Sequence, residues 1–268
     1  MKRENIPVSP VQIAEVGLKV KDAAKVSSFY REVIGLSELS NVDGVVVLGV
    51  GNKPLVTIRQ DASAVPDDPR AAGLFHTAFL LPTREDLARW VRHASERKVP
   101  LDGASDHLVS EAVYLHDPEG NGIEIYADRP REEWTWQNGE VAMETLRLDL
   151  QDLLSTPGVD EAWHGMPEGT TIGHMHLRVG DPALAEKWWH ENFSLDTMAR
   201  YGPQAVFLAS GGYHHHIGAN SWHSAGAGMR DPASAGLEWL TMEVAGAKQE
   251  ATLEDPWGTV VRVTPGNV

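Results

Sequence analysis

Ile13–Leu36 reads IAEVGLKVKDAAKVSSFYREVIGL, and Ile172–Leu195 reads IGHMHLRVGDPALAEKWWHENFSL. The offset between the two stretches is constant at 159 residues (172 − 13). Apolar positions coincide along the pair, and so does an aspartate near the middle of each stretch, Asp22 and Asp181. A pattern that returns at one fixed offset indicates an internal repeat of a structural unit.

A second and weaker repeat divides each half again. Gly73-Leu74 and Gly236-Leu237 both open strand-like patterns. The turn sequences Asp117–Gly120 (DPEG) and Asp255–Gly258 (DPWG) both precede such a pattern. The chain is therefore predicted to consist of two halves, each made of two modules.

Each complete module is predicted to contain a strand, a helix and further strands. In the first module, Val16–Val20 alternates as a half-buried strand does. Asp22 stands where a helix N-cap belongs, and Gly35 ends the helix predicted over Ala23–Ile34. The other predicted strands are Val45–Leu48, Leu55–Ile58, Phe75–Leu81, Ala112–Leu115, Gly122–Tyr126, His174–Val179, Ala205–Leu208 and His215–Ala219. The other predicted helices are Arg84–Lys98, Pro182–Phe193 and a connecting helix over Val141–Leu154.

The fourth module runs from Gly236 to Val263, about 28 residues, which is too short to include the helix of the other three. Pro130–Gly139 is predicted to be a linker, and its Trp134 and Trp136 are expected to clamp the two halves together.

These patterns predict an α+β fold in which βαβββ modules form two cupped, barrel-like sheets. The predicted domains are residues 1–130 (two modules), a linker and connecting helix over 131–165, and residues 166–268 (one full and one truncated module).

Composition narrows the function classes. Among 268 residues, 23 Lys and Arg stand against 38 Asp and Glu, a net charge of −15, which argues against nucleic-acid and anionic-membrane partners. The absence of cysteine excludes disulfides, thiolate metal sites and thiol nucleophiles. The N-terminus lacks the apolar core of a signal peptide, and no apolar run approaches the roughly 20 residues of a membrane helix. We expect a cytoplasmic protein.

The repeat and three further tracts resemble one known family. The tracts are Asp106–Pro130 (DHLVSEAVYLHDPEGNGIEIYADRP), Trp134-Thr135-Trp136 and Gly211–Trp222 (GGYHHHIGANSW). Together they resemble the vicinal-oxygen-chelate superfamily, which includes glyoxalases, bleomycin-resistance proteins and extradiol dioxygenases. Within it, the chain is most similar to two-domain bacterial catechol 2,3-dioxygenase-like proteins. The same fold hosts several chemistries.

The resemblance implies a metal site built from the first and last strands of paired modules. His76 and Glu124 occupy those positions in the second module, and His174 occupies the first strand of the third. Two histidines and one carboxylate suit a non-haem Fe(II) centre, with Mn(II) as an alternative. Glu124 lies between Ile123 and Ile125, so it points away from two apolar neighbours and needs a partner such as a metal. His176 is a competitor of His174 on the same strand face.

The first and fourth modules lack such a set. The repeat places Glu15 where the third module has His174, and it places Trp239 and Arg262 where the second has His76 and Glu124. An arginine at a ligand position repels a cation. One complete site is therefore expected, from the second and third modules, paired either within one chain or across a dimer.

The resemblance also assigns three residues to catalysis. His215, in His-His-Ile-Gly-Ala, is similar to a family histidine that transfers protons, although His214 and His216 remain alternatives. Tyr114 stands ten residues before Glu124, the spacing of a family tyrosine that binds the substrate. His107 lies in the preceding loop, two residues from the place of a family histidine.

These residues lead to one functional expectation and two alternatives. The expected function is extradiol cleavage of a catechol-type aromatic diol with O₂, in a homo-oligomer. The first alternative is a glyoxalase-type isomerase or lyase, whose sites usually carry a second carboxylate ligand. The second is a small-molecule binding protein of the resistance type, which needs no metal ligands. The five other histidines, His93, His116, His164, His190 and His223, carry no spacing signal and are taken as structural.

Overall fold

The computed structural model describes residues 10–266, where strands dominate and three longer helices cover them. The first module contains β1 (Val11–Val20), α1 (Ala23–Phe29) continued by a π-helical turn (Tyr30–Ile34), β2 (Ser37–Val42), β3 (Val45–Val50) and β4 (Lys53–Gln60). The second contains β5 (Gly73–Leu80), α2 (Arg84–Glu96), β6 (Gly103–Asp106), β7 (Ser110–His116) and β8 (Gly122–Asp128).

The connecting region is less helical than predicted. It contains a 3₁₀ turn (Arg131–Glu133), β9 (Trp136–Gln137), β10 (Glu140–Val141), β11 (Leu146–Arg147) and α3 (Leu150–Leu153). The helix predicted over Val141–Leu154 is therefore wrong except for its last turn. Asp149 explains the late start, because its side chain accepts hydrogen bonds from the backbone N–H groups of Gln151 and Asp152 and so caps α3 at that point.

The third and fourth modules complete the chain. The third contains β12 (Thr171–Arg178), α4 (Pro182–Phe193), β13 (Asp196–Tyr201), β14 (Ala205–Ala209) and β15 (Ile217–Asn220). The fourth contains β16 (Gly236–Ala245), β17 (Ala251–Glu254) and β18 (Val260–Gly266), with no helix between β16 and β17. No described helix combines the length and the apolar character needed to cross a membrane.

Local sequence fixes where the helices begin and end. The side chains of Asp22, Thr83 and Asp181 each accept a hydrogen bond from a backbone N–H in the first turn of α1, α2 and α4. Gly35 has a φ of 99°, which ends the first helix at the predicted glycine.

Strand pairing joins the modules in an order that differs from their order in sequence. β5 pairs antiparallel with β12, so the second and third modules meet within one chain. β1 pairs antiparallel with β16, so the first and fourth modules meet in the same way. In the second and third modules, the last strand pairs in parallel with the first strand of the same module: β8 with β5, and β15 with β12. Each of the two cups is thus assembled from both halves of the sequence.

The two aspartate turns identified in the sequence have the same structure. Asp117 Oδ1 accepts from the backbone N–H groups of Glu119 and Asn121 at 2.8 and 3.0 Å. Asp255 Oδ1 accepts from those of Trp257 and Thr259 at 2.9 and 2.8 Å. These turns set the start of β8 and β18, the last strands of the second and fourth modules.

Several short strands were not predicted. In the first three modules β2, β6 and β13 were missed, and the connecting region adds β9, β10 and β11. The strand expected over His215–Ala219 begins only at Ile217. Of the two linker tryptophans, Trp134 is buried and its ring centroid lies 6.0 Å from that of Tyr213, whereas Trp136 is 45% exposed. Only Trp134 therefore joins the connecting region to the third module as expected.

Candidate metal centre

Three neighbouring strands place His76, Glu124 and His174 on the same concave face. Ala78 of β5 is the register partner of both Glu124 on β8 and His174 on β12. His76 lies two residues before Ala78 and therefore projects to the same side of the sheet. The helix-facing residues of β12, such as Met175, are apolar and buried.

The three side chains form one compact donor group. Glu124 Oε2 lies 3.0 Å from His76 Nε2 and 3.2 Å from His174 Nε2. One donor atom from each residue falls within 4.8 Å of the others, and all three residues are buried. Among residues 10–266 this is the one such cluster of His, Asp and Glu.

The chemistry of the group fits a divalent metal ion. His76 Nε2 is buried and, despite its distance from Glu124, makes no hydrogen bond with suitable geometry among the described residues. Burial lowers the pKa of His174 to about 4, so its imidazole is neutral at pH 7. Burial acts to raise the pKa of Glu124, but His174 and His76 outweigh it and hold that pKa well below its usual value. Neutral imidazoles and an ionised carboxylate are the forms that bind metal.

His176 stays outside this group although it is the register partner of His76. Its ring centroid lies 5.0 Å from that of His76 but also 5.5 Å from Trp222 and 5.6 Å from Phe207. Burial lowers the pKa of His176 well below its usual value, so it is neutral as well. The structure thus separates the two competitors on β12, with His174 in the donor group and His176 in the adjoining wall.

His215 is the member of the His214–His216 run that reaches the cavity. It precedes β15 rather than lying in it, and its ring centroid is 4.0 Å from that of His174. Burial lowers the pKa of His215 well below its usual value. His216 Nδ1 instead accepts from the backbone N–H of Ser210 at 3.4 Å, on the side away from the cavity lining.

Tyr114 and His107 form a hydrogen-bonded pair on the opposite wall. The Tyr114 hydroxyl lies 2.6 Å from His107 Nε2, and His107 Nδ1 lies 2.7 Å from the carbonyl oxygen of Glu144. Because a carbonyl only accepts, His107 donates through Nδ1 and Tyr114 donates to its Nε2. Burial raises the pKa of Tyr114 well above its usual value, and Glu124, its register partner, adds to this effect.

These groups line a cavity of about 660 Å³ in the cup of the second and third modules. Its apolar wall was not identified from the sequence and comprises Leu74, Phe75, Leu115, Ile123, Phe207 and Trp222. His116 and His223, which had been taken as structural, also line it. An ion pair between the buried Arg178 and the half-buried Asp67 lies at one side of the cavity, with 2.5 Å between the charged groups.

In the cup of the first and fourth modules, side chains fill the space that corresponds to the cavity. The Trp239 ring occupies the space beside Gly17, its register partner on β1. The guanidinium carbon of Arg262 lies 3.9 Å from the centroid of that ring, a cation–π contact. Glu15 Oε1 accepts a hydrogen bond from Thr57. Each of the three repeat-equivalent positions thus has a structural partner in place of a metal.

Comparison with known proteins identifies the family of this chain. The model of the family described as Glyoxalase/Bleomycin resistance protein/Dioxygenase superfamily matches residues 12–125. A Bacillus subtilis (strain 168) protein named catechol-2,3-dioxygenase is 38% identical over 231 residues, covering 84% of this chain and 80% of the relative.

Solved structures show the same fold. A structure from Bacillus subtilis subsp. subtilis str. 168, described as a dioxygenase, superposes with a TM-score of 0.61 at 15% identity, over 96% of this chain and 86% of that one. Glyoxalase I from Zea mays superposes with a TM-score of 0.56 at 12% identity, over 95% and 92%. At these sequence identities the structural likeness establishes only the fold. The reaction has to be inferred from the residues of the site.

Proposed function

This chain belongs to the glyoxalase/bleomycin resistance protein/dioxygenase superfamily, and on that premise we propose that it is an extradiol dioxygenase. It would open a catechol-type aromatic ring beside its two hydroxyl groups and add both atoms of O₂, giving a muconic semialdehyde-type product. The observation that carries the proposal is the buried His76–Glu124–His174 group at the base of a cavity whose wall holds His215.

The donor group would hold Fe(II), because two histidines and one carboxylate leave open positions on the ion. Such an ion, when bound, supplies those positions to the two hydroxyl oxygens of the diol and to O₂. Mn(II) fits the same donors, and metal analysis separates the two. The strands hold all three side chains on a rigid sheet, which keeps the donor geometry fixed during turnover.

Protein groups around the donor set handle the protons and the ring. His215 is neutral at pH 7, so it can accept a proton from a diol hydroxyl and return it later. Tyr114 and His107, already joined by a hydrogen bond, can shift that bond to a substrate oxygen. The apolar wall, including Phe75 and Trp222, binds the aromatic ring and excludes water.

The glyoxalase-type alternative is less well supported. It calls for a second carboxylate among the ligands, and the described donor group has only Glu124. In the position next to His174 the third module supplies His215, a proton-transfer group. A resistance-type binding protein leaves the buried Glu124 without a function.

The test is oxygen uptake by the Fe(II)-loaded protein with catechol and, as a matched control, with hydroquinone, whose hydroxyls are too far apart to bind one ion together. We expect one O₂ per catechol, a yellow product and no uptake with hydroquinone. A His215→Ala variant should be about 100-fold slower or more. Full-rate cleavage by that variant would remove His215 from the mechanism, and the absence of uptake by the wild-type protein would refute the proposed function.

A further inference from the structure

A chain of hydrogen bonds leads away from the cavity behind His215. His215 Nδ1 lies 2.7 Å from Nδ1 of its neighbour His214. His214 Nε2 lies 3.0 Å from Oδ1 of Asp128, at the end of β8. His214 is fully buried, whereas the Asp128 side chain is 23% exposed. These two hydrogen bonds therefore connect the cavity to the edge of the cup.

The hydrogen positions along this chain follow from what each atom can do. The Asp128 carboxylate only accepts, so His214 donates through Nε2. When His214 carries a single hydrogen, that hydrogen is the one on Nε2, and its Nδ1 is then an acceptor. His215 must donate through its own Nδ1, and its Nε2 keeps a lone pair. Among the described residues, no hydrogen bond occupies that Nε2, which leaves it to the cavity that His215 lines.

We infer that Asp128 and His214 are positioning residues that hold His215 in the tautomer whose Nε2 can accept a proton from the bound diol. This inference rests on the proposed ring cleavage. In the opposite tautomer, Nε2 would carry a hydrogen and could not act as the base. The arrangement also places a carboxylate behind His214, where it stabilises the charge that His215 gains when it takes a proton.

Neighbouring side chains hold the outer end of the chain in place. The Tyr213 hydroxyl donates to Asp128 Oδ1 at 3.3 Å and lies 2.7 Å from the hydroxyl of Tyr126. The His214 ring packs against Trp134 and Tyr213, with centroids 5.4 and 4.1 Å apart. The plane of the His214 ring is thus fixed, which is what a residue that sets the tautomer of its neighbour requires.

The experiment compares the Fe(II)-loaded wild type with Asp128→Ala and with Glu238→Ala. Glu238 is a suitable control because it too is a partly buried carboxylate, 29% exposed and paired with Arg59, but it lies on β16 in the other cup. We measure iron content, kcat and KM with catechol, and kcat with 4-nitrocatechol, whose more acidic hydroxyl needs no base at neutral pH. Nitrogen-15 NMR of histidine in the Zn(II)-loaded, diamagnetic protein reads the tautomer directly.

For Asp128→Ala we expect full iron content, a KM within about threefold of wild type and a kcat about 100-fold lower. The defect should shrink to less than about tenfold with 4-nitrocatechol. Glu238→Ala should match wild type. In NMR, wild-type His215 should show hydrogen on Nδ1 and none on Nε2, and Asp128→Ala should show a mixture of tautomers.

Three results would overturn the inference. They are a wild-type His215 protonated on Nε2, an Asp128→Ala variant with unchanged kcat, and a loss of activity that is equal for both catechols and accompanied by loss of iron. The last result would indicate a purely structural role. A wild-type protein without ring cleavage would refute the proposed function instead, while the NMR result would still decide the tautomer.

Discussion

Replacing Glu124 with Gln should abolish most of the thermal stabilisation that a divalent ion gives this protein. Glu124 is 2% exposed, and it is the one anion in the described donor group. Its Oε2 lies within 3.2 Å of the imidazole nitrogens of His76 and His174. Gln keeps the shape and an accepting oxygen but removes the charge. Because the pKa of Glu124 is lowered in the fold, its ionised carboxylate stabilises the metal-free protein at pH 7, so the metal-free variant should be less stable than the metal-free wild type. The quantity to compare is therefore the metal-induced shift in Tm within each protein.

The magnitude follows from linkage between metal binding and folding. An ion at 100 times its dissociation constant stabilises the folded state by about 2.7 kcal/mol. Loss of an outer hydrogen-bond partner of a ligand already weakens metal binding by about 10- to 100-fold, so loss of the anionic ligand itself should cost at least about 100-fold. At the same ion concentration, the ion then stabilises the folded variant by only about 0.4 kcal/mol. With about 2–4 °C per kcal/mol, the ion should raise Tm by about 5–11 °C in wild type and by about 1–2 °C in Glu124→Gln.

The assay is thermal unfolding followed by circular dichroism, with and without Mn(II) in air and Fe(II) under argon. Glu15→Gln is the matched control, because Glu15 is the repeat equivalent of a ligand position but bonds Thr57 in the other cup. It should keep the wild-type shift. A Glu124→Gln variant whose Tm still rises as far as that of wild type would show that Glu124 is not a metal ligand.

Three other predictions concern the neighbouring residues. His174→Ala should lose the metal-induced Tm shift, whereas His176→Ala should keep it and mainly raise KM; the same shift in both variants would contradict the assigned donor group. Trp239→Ala should destabilise the protein by about 3–5 kcal/mol in urea unfolding without changing activity per folded molecule, and a loss of activity would show that the filled cup takes part in catalysis. The metal-free protein should lose stability between pH 7 and pH 5, because burial lowers the pKa of His174 to about 4 and that of His216 to about 3. A histidine with an unfolded pKa near 6.5 then takes up its proton mainly on unfolding, a cost of about 2 kcal/mol for each at pH 5, and equal urea midpoints at the two pH values would contradict this.

Much of the fold could be predicted because the repeat is local and regular. The first and third modules share capping aspartates, Asp22 and Asp181, and the structure uses both as helix caps. The polar strands β2, β6 and β13 were missed because their stability comes from pairing with neighbours and not from an alternating pattern. In β2 almost every residue is exposed, so its sequence has no apolar face to detect.

Some residues of the candidate site could be predicted from the sequence and others could not. His76, Glu124 and His174 were predicted because the family resemblance implies a metal site on the first and last strands of paired modules, and the repeat shows which residues stand there. The partners of His214 were not, because Asp128 lies 86 residues away and only strand β8 brings it close. Trp222 of the apolar wall was missed for a similar reason, because it follows β15 in a loop outside the strand pattern. Whether the second and third modules meet within one chain was open in the sequence, and the β5–β12 register answers it.

The most direct test of the account is metal analysis of anaerobically purified protein, followed at once by addition of catechol in air. We expect about one iron per chain and a yellow ring-fission product, with both absent from a Glu124→Ala variant purified in parallel. A different divalent metal without colour would instead support an isomerase or lyase. No metal after reconstitution with Fe(II), or iron binding by Glu124→Ala equal to wild type, would contradict the His76–Glu124–His174 centre.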